Sequence, residues 1–148
     1  MKLSQLFHLP VMLLLRSRVG GSLFPDWTVL TIRGRKTQKR YRVPVGLVRV
    51  NGSYAVMSRR DRKWWRNLVG GAPLRLLLHG REAEGFGQAY IDDRAVAEGL
   101  RRYLERLPKY ARYFGVALDG NGRPVEEDIE REAKTRVFVS IRLEGAGG

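Results

Sequence analysis

The chain has no cysteine, which excludes disulfides, thiolate metal centres and a cysteine nucleophile and makes a reducing compartment harmless to it. A cytoplasmic address is the expectation that follows. Histidine is scarce as well: His8 and His79 stand far apart, with no carboxylate or second histidine at ligand spacing, so no metal site is expected. The same scarcity leaves no Ser/His/Asp arrangement for nucleophilic catalysis. Long apolar runs are missing too. The stretch from Leu9 to Leu15 is too short to span a bilayer and lacks a small-residue cleavage site, so it reads as neither membrane span nor signal peptide.

Acidic residues are also few, with 15 Asp and Glu against 28 Lys and Arg, a formal charge of +13. A field of that size attracts nucleic acid, acidic lipid headgroups or a phosphorylated, carboxylated small molecule. Charge alone does not choose among them, and a merely solubilised surface would carry the same number. Much of the charge is arginine, whose fork pairs bidentately with phosphate and carboxylate.

With 148 residues and no internal repeat or linker, one domain covering residues 1–148 is the simplest organisation. Residues 1–23 read as an amino-terminal helical segment interrupted near Pro10, with Leu3, Leu6, Phe7, Leu13 and Leu14 on its apolar side. Packing on the body of the protein is its expected place, and peripheral membrane contact is the alternative. Residues 27–32 are rich in β-branched and aromatic side chains and predict a strand ended by Gly34. A second run, 41–50, meets 53–57 across Asn51-Gly52, the dipeptide of a tight hairpin turn. A short helix is expected between Asp61 and Val69, stopped by Gly70-Gly71, and strands at 74–79 and 82–90 follow. Asp92 or Asp93 caps a helix with Val96, Leu100, Tyr103, Leu104 and Leu107 at helical spacing. A last strand, 136–143, alternates, placing Val137, Val139, Ile141 and Leu143 inward and its Arg and Ser side toward water. Hairpins in succession with helices inserted between them predict an α+β, mainly β fold: a closed antiparallel sheet decorated by helices.

Two clusters have the chemistry to hold an anion. Gly34-Arg35-Lys36-Thr37-Gln38-Lys39-Arg40 joins two strands and combines backbone N–H groups, cationic side chains and a hydroxyl. It lacks the second glycine and the strand–loop–helix setting of a nucleotide P-loop. Ser58-Arg59-Arg60-Asp61-Arg62-Lys63-Trp64-Trp65-Arg66-Asn67 sets a second basic group beside two tryptophans. Either is also readable as a solvated basic turn, and the interleaving of aromatics with cations equally describes a single-strand nucleic-acid surface.

The order of these features is what resembles a known family. Trp27-Thr28-Val29-Leu30-Thr31-Ile32-Arg33-Gly34-Arg35-Lys36-Thr37, then Val43-Pro44-Val45, Tyr54-Ala55-Val56-Met57-Ser58, Trp64-Trp65-Arg66-Asn67-Leu68 and Pro73 follow the pattern of the deazaflavin-dependent nitroreductases of the split β-barrel flavin-binding superfamily. The likeness covers roughly residues 24–80. Further on, Pro108-Lys109-Tyr110-Ala111-Arg112-Tyr113 looks like that family's Pro-x-Tyr-x-x-Tyr segment. Three departures stand out: Gln38 replaces a usual glycine, Arg59-Arg60-Asp61 replaces a Gly-rich loop, and Tyr41, followed by Arg42, stands where an arginine is common.

The resemblance implies a split β-barrel and an oxidoreductase that binds coenzyme F420, a deazaflavin whose tail carries a phosphate and glutamates. The acceptor implied is a small quinone or nitroaromatic. Carried over by position, Arg35, Lys36, Thr37 and Gln38 meet the tail, and Tyr41, Arg42, Val43, Pro44 and Val45 run along the ring. Ser58, Arg59, Trp64 and Asn67 complete the pocket, with Tyr110 as the catalytic hydroxyl on the acceptor side. An FMN-binding relative and a non-catalytic nucleic-acid-binding barrel are the alternatives, and monomer and homodimer both remain open.

Overall fold

The computed structural model describes residues 27–50, 52–78 and 80–144; the amino-terminal segment 1–23 lies outside the described residues. Seven strands form one antiparallel sheet: β1 (Trp27–Arg33), β2 (Arg40–Gly46), β3 (Val48–Val50), β4 (Ser53–Arg59), β5 (Ala72–Leu78), β6 (Arg81–Tyr90) and β7 (Arg136–Leu143). Among the described residues two α-helices accompany them, α1 (Asp93–Arg106) and α2 (Glu126–Ala133), with short 3₁₀ turns at Trp64–Leu68 and Pro108–Tyr110. The mainly β, α+β class expected from the hairpin succession is what forms.

Strand order is β2-β1-β5-β6-β7-β4-β3, and the sheet curls until β2 lies against β4 without pairing to it. The result is a split barrel whose open seam runs between those two strands. Pro44 sits on β2, an edge strand bonded only to β1, where the missing proline N–H costs no ladder bond. Inside the barrel Leu30, Ile32, Val56, Leu68, Leu76, Val137, Val139 and Ile141 are almost wholly buried. A second apolar layer lies outside it, where Leu100, Tyr103 and Leu104 of α1 pack with Val48, Ala55, Phe114, Val116 and Ile129.

The run expected at 41–50 is two strands, β2 and β3, interrupted at Leu47, because β2 pairs with β1 while β3 turns to pair with β4. Ser53 is directly opposite Val50, which fixes the two-residue hairpin at positions 51 and 52, with Gly52 in the left-handed region at φ 81°. The helix expected between Asp61 and Val69 is a 3₁₀ turn of five residues, too short to carry a useful dipole. Asp92 is the cap of α1, accepting from the Ala95 N–H at 3.0 Å.

The outer side of β7 faces water at Arg142, as its alternation implied, but is partly covered from Arg136 to Ser140. Helix α1 covers it: a Cβ on Gly99 would stand 2.4 Å from the ring of Phe138, so only glycine admits so close an approach. Helix α2 has no counterpart among the expected elements. It has just two buried positions, Ile129 and Ala133, in a chain segment otherwise dominated by charge.

Candidate functional site

At the open seam lies a cleft of about 740 Å³, well within the range of small-molecule sites. One bank is the backbone of β2 from Val43 to Gly46. The other is the end of β4, Met57, Ser58 and Arg59, beyond the reach of β3 and so with an exposed edge. Trp64 closes one side and Trp27 flanks it. Tyr103, Tyr110, Tyr113 and Phe114 form an aromatic wall opposite, and Arg59, Arg62, Lys63 and Arg136 supply four cations, with no carboxylate among the described residues that line the cleft. Apolar faces with convergent cations suit a planar ligand carrying negative charge.

Trp64 and Trp65 illustrate how the short turn sorts neighbours. Trp65 is 8% exposed and belongs to the barrel core, whereas Trp64 is half-buried and lines the cleft. The turn is held by Asn67, whose side-chain amide donates to the Trp64 carbonyl at 3.1 Å. The same side chain accepts from the Arg35 N–H at 3.0 Å, and the Arg35 guanidinium donates to the Val69 carbonyl. Arg35 and Asn67 thus lash the Gly-Arg-Lys-Thr turn to the tryptophan segment.

Within that turn, the Gly34 N–H donates to the Lys39 carbonyl at 2.7 Å and the Gln38 N–H to the Gly34 carbonyl at 2.9 Å. The Lys39 N–H donates to the Thr37 hydroxyl at 3.2 Å, and that hydroxyl also meets the Tyr41 hydroxyl at 3.0 Å. Among the described residues no hydrogen bond engages the N–H groups of Lys36 and Thr37, which leaves two adjacent donors beside the Lys36 amine. Gln38 adopts φ 59°, the left-handed conformation that glycine enters freely, and its side-chain amide donates to the Arg35 carbonyl at 3.1 Å. That conformation accounts for the glycine found there in the pattern this chain resembles.

The structure therefore brings Val43, Pro44, Val45, Ser58, Arg59, Trp64 and Tyr110 to one cleft. Arg35, Lys36, Thr37, Gln38, Tyr41 and Asn67 gather at the turn tied to it. Arg42 is set apart. Opposite Thr31 in register, it shares the outer face of the sheet with Arg75 and Glu82. Arg60, in the second basic cluster, is a structural clamp: its guanidinium donates to the carbonyls of Arg136 at 3.0 Å, Ile91 at 2.6 Å and Ala133 at 3.3 Å, and pairs with Asp93 at 3.2 Å. Sequence reasoning missed Trp27, Met57, Arg62, Lys63, Tyr103, Phe114 and Arg136 as cleft residues. An arginine at the first position of the last strand was the one available signal for Arg136.

Three carboxyls with depressed pKa values lie away from the cleft. Hydrogen bonds from Arg101 hold the Glu126 carboxyl below its usual range, and backbone N–H donors do the same for Asp119 (from Arg123 and Asn121) and Asp128 (from Ala117).

Against known proteins, the family model of the F420H(2)-dependent quinone reductases matches residues 11–117. The chain belongs to that family. It is accordingly an F420-dependent reductase, an oxidoreductase whose cofactor is coenzyme F420. No curated protein matches the chain. Among solved structures, the F420-H2 dependent reductase FDR-A superposes with a TM-score of 0.51 at 18% identity, covering 78% of this chain and 93% of its own. A putative pyridoxamine 5'-phosphate oxidase from Listeria innocua gives 0.52 at 10% identity, over 80% and 84%. The flavocytochrome Anf3 from Azotobacter vinelandii gives 0.52 at 12% identity, over 90% and 62%. At these identities the likeness is one of fold, the split barrel. For the F420-dependent reductase family, the residues present fit the cofactor: the unengaged donors at Lys36 and Thr37 and the cation-rich lining suit an anionic tail, and the aromatic walls suit a flat ring.

Proposed function

We propose that this chain reduces a small quinone-type acceptor at the seam between β2 and β4, with a nitroaromatic as the second acceptor class. The observation that carries the reading is the cleft itself, where aromatic walls and an excess of cations share one cavity. Bound coenzyme F420 supplies the hydride. Lys36, with the N–H groups of Lys36 and Thr37, holds the anionic tail, and Gln38 keeps the turn in the conformation that presents them. The exposed edges of β2 and β4 and the indole of Trp64 orient the ring, so that most of the chain's contribution is placement and exclusion of water. Tyr110 presents its hydroxyl group to the acceptor and donates a hydrogen bond to the oxygen being reduced. Its ring lies under the Lys109 ammonium, 5.2 Å from the centroid.

Fluorescence titration with F420 and, separately, with FMN tests the cofactor assignment, and oxidation of reduced F420 followed with a naphthoquinone and with a nitroaromatic ranks the acceptors. Tighter binding of F420 and faster turnover with the quinone are expected. Equal or inverse cofactor preference would overturn the reading in favour of a flavin-binding barrel. Steeply salt-dependent binding of single-stranded nucleic acid with no retained cofactor would favour the nucleic-acid alternative.

A further inference from the structure

Arg136 is built differently from Arg60, the clamp arginine. Arg60 reaches three carbonyls and a carboxylate, as a structural arginine should. Arg136, only 13% exposed in its side chain, has a buried Nε with no hydrogen-bond partner. Among the described residues its acidic partner is Glu132, with the nearest oxygen 3.7 Å from Nη2, longer than a hydrogen bond. The guanidinium lies over the ring of Phe114 at 4.9 Å, which fixes its plane without satisfying its donors. Directly opposite in the β4–β7 ladder stands Arg59, on the same face of the sheet, but its guanidinium is largely exposed and paired with Asp61 at 3.1 Å, so the donors of Arg136 are the ones left short of an acceptor. Both line the cleft.

We propose that Arg136 is a specificity-determining residue of the cleft, holding a carboxylate or phenolate oxygen of the ligand in a place separate from the Gly-Arg-Lys-Thr turn, with Phe114 as its support and Glu132 as its resting counter-charge. An incoming oxyanion supplies the hydrogen bonds that Glu132 is too distant to give. The same chemistry is offered by an acidic acceptor and by the glutamate tail of the cofactor. Assignment to the acceptor rests on the function proposed above; the anion-holding role does not.

The test begins without cofactor: calorimetry of the protein with 2-naphthoate and with its uncharged amide, for wild type, Arg136→Met, Arg136→Lys and Glu132→Gln, with thermal melts alongside. Wild type is expected to prefer the naphthoate, Arg136→Met to lose that preference by roughly tenfold or more, the scale of a lost charged hydrogen bond, and Arg136→Lys to keep part of it. Glu132→Gln should tighten naphthoate severalfold, since it removes the competing charge. A purely structural Arg136–Glu132 pair would weaken binding in both variants or in neither, and either result overturns the proposal. Should Arg136→Met fail to fold, the opposed directions of Glu132→Gln and Arg136→Lys still decide it. A second arm separates the sources. If the oxygen belongs to the acceptor, Arg136→Met raises KM for a carboxylated naphthoquinone over its neutral parent and leaves F420 affinity unchanged; if it belongs to the tail, F420 affinity falls while that of the tail-less deazaflavin does not. Failure of wild type to bind F420 would count against the proposed function and leave the naphthoate result standing.

Discussion

The two cationic regions of the cleft are built on opposite plans. The Gly-Arg-Lys-Thr turn is continuous in sequence, exposed, and organised by its own hydrogen bonds together with one side chain, Asn67, from outside. The wall formed by Arg59 and Arg136 is assembled from two strands far apart in the chain and is sheltered on the Arg136 side, where the side chain is 13% exposed against 65% for Arg59. An exposed charge is screened by salt within about 10 Å at 0.1 M, whereas a partly buried one is screened far less. The turn is thus suited to gathering a polyanionic tail from solution, and the wall to discriminating among the groups that enter.

The strongest way to break that comparison is at the segment joining the two regions. Trp65→Ala opens the barrel core and should cost about 3–5 kcal/mol of stability, while Trp64→Ala, facing the cleft, should change stability by no more than about 1 kcal/mol and lower F420 affinity instead. Thermal melts and fluorescence titrations on both variants check this; two variants that both unfold would show that the cleft wall and the core are one structure. Next in size, Lys36→Ala should weaken F420 binding by about 1–3 kcal/mol with an unchanged melt, and the loss should shrink as salt is raised. An affinity equal to wild type would make the turn plain solvated surface.

Asn67→Ala removes the acceptor of the Arg35 N–H and the donor to Trp64, so a loss of about 0.5–1.5 kcal/mol in stability is expected together with weaker cofactor binding, because turn and tryptophan are no longer held together. A melt that falls with unchanged affinity would show that the turn orders itself. The smallest effect belongs to acid. Glu126, Asp119 and Asp128 have folded pKa values below their usual ones, so the stability they contribute is complete above the ordinary carboxylate range and drains away as pH drops from about 4 toward the depressed values. Melts from pH 7 to 3 should decline chiefly in that window, less steeply in Glu126→Gln, while cofactor affinity at pH 5 and above stays level.

What could be read from the sequence was what is local. The hairpin across positions 51 and 52, the β7 alternation and the Asp92 cap depend on neighbours a few residues away, and the placement of Trp64 and Trp65 on different sides follows from the geometry of one turn. Arg42 shows the limit: one position along β2 from Val43, it lies on the other face, and a family pattern read along the strand does not distinguish alternate faces. Phe114, Tyr103 and Arg136 enter the cleft through long-range packing of α1 and the segment before α2 on the outer side of the sheet. No short-range period encodes that. Helix α2 was invisible for a related reason, since two buried residues in eight make too narrow an apolar stripe to stand out from its charges.

The clamp made by Arg60 carries a consequence for the order in which the molecule is put together. Its partners, Ile91, Asp93, Ala133 and Arg136, span most of the second half of the chain, and its own N–H bonds to the Thr135 carbonyl at 3.0 Å. The clamp has nothing to grip at its carboxy-terminal side until residues 133–136 arrive, so it makes the end of β4, the start of α1 and the entry to β7 one unit. Detaching the carboxy-terminal strand takes Arg136 out of the cleft and at the same time deprives Arg60 of the Arg136 carbonyl that it holds.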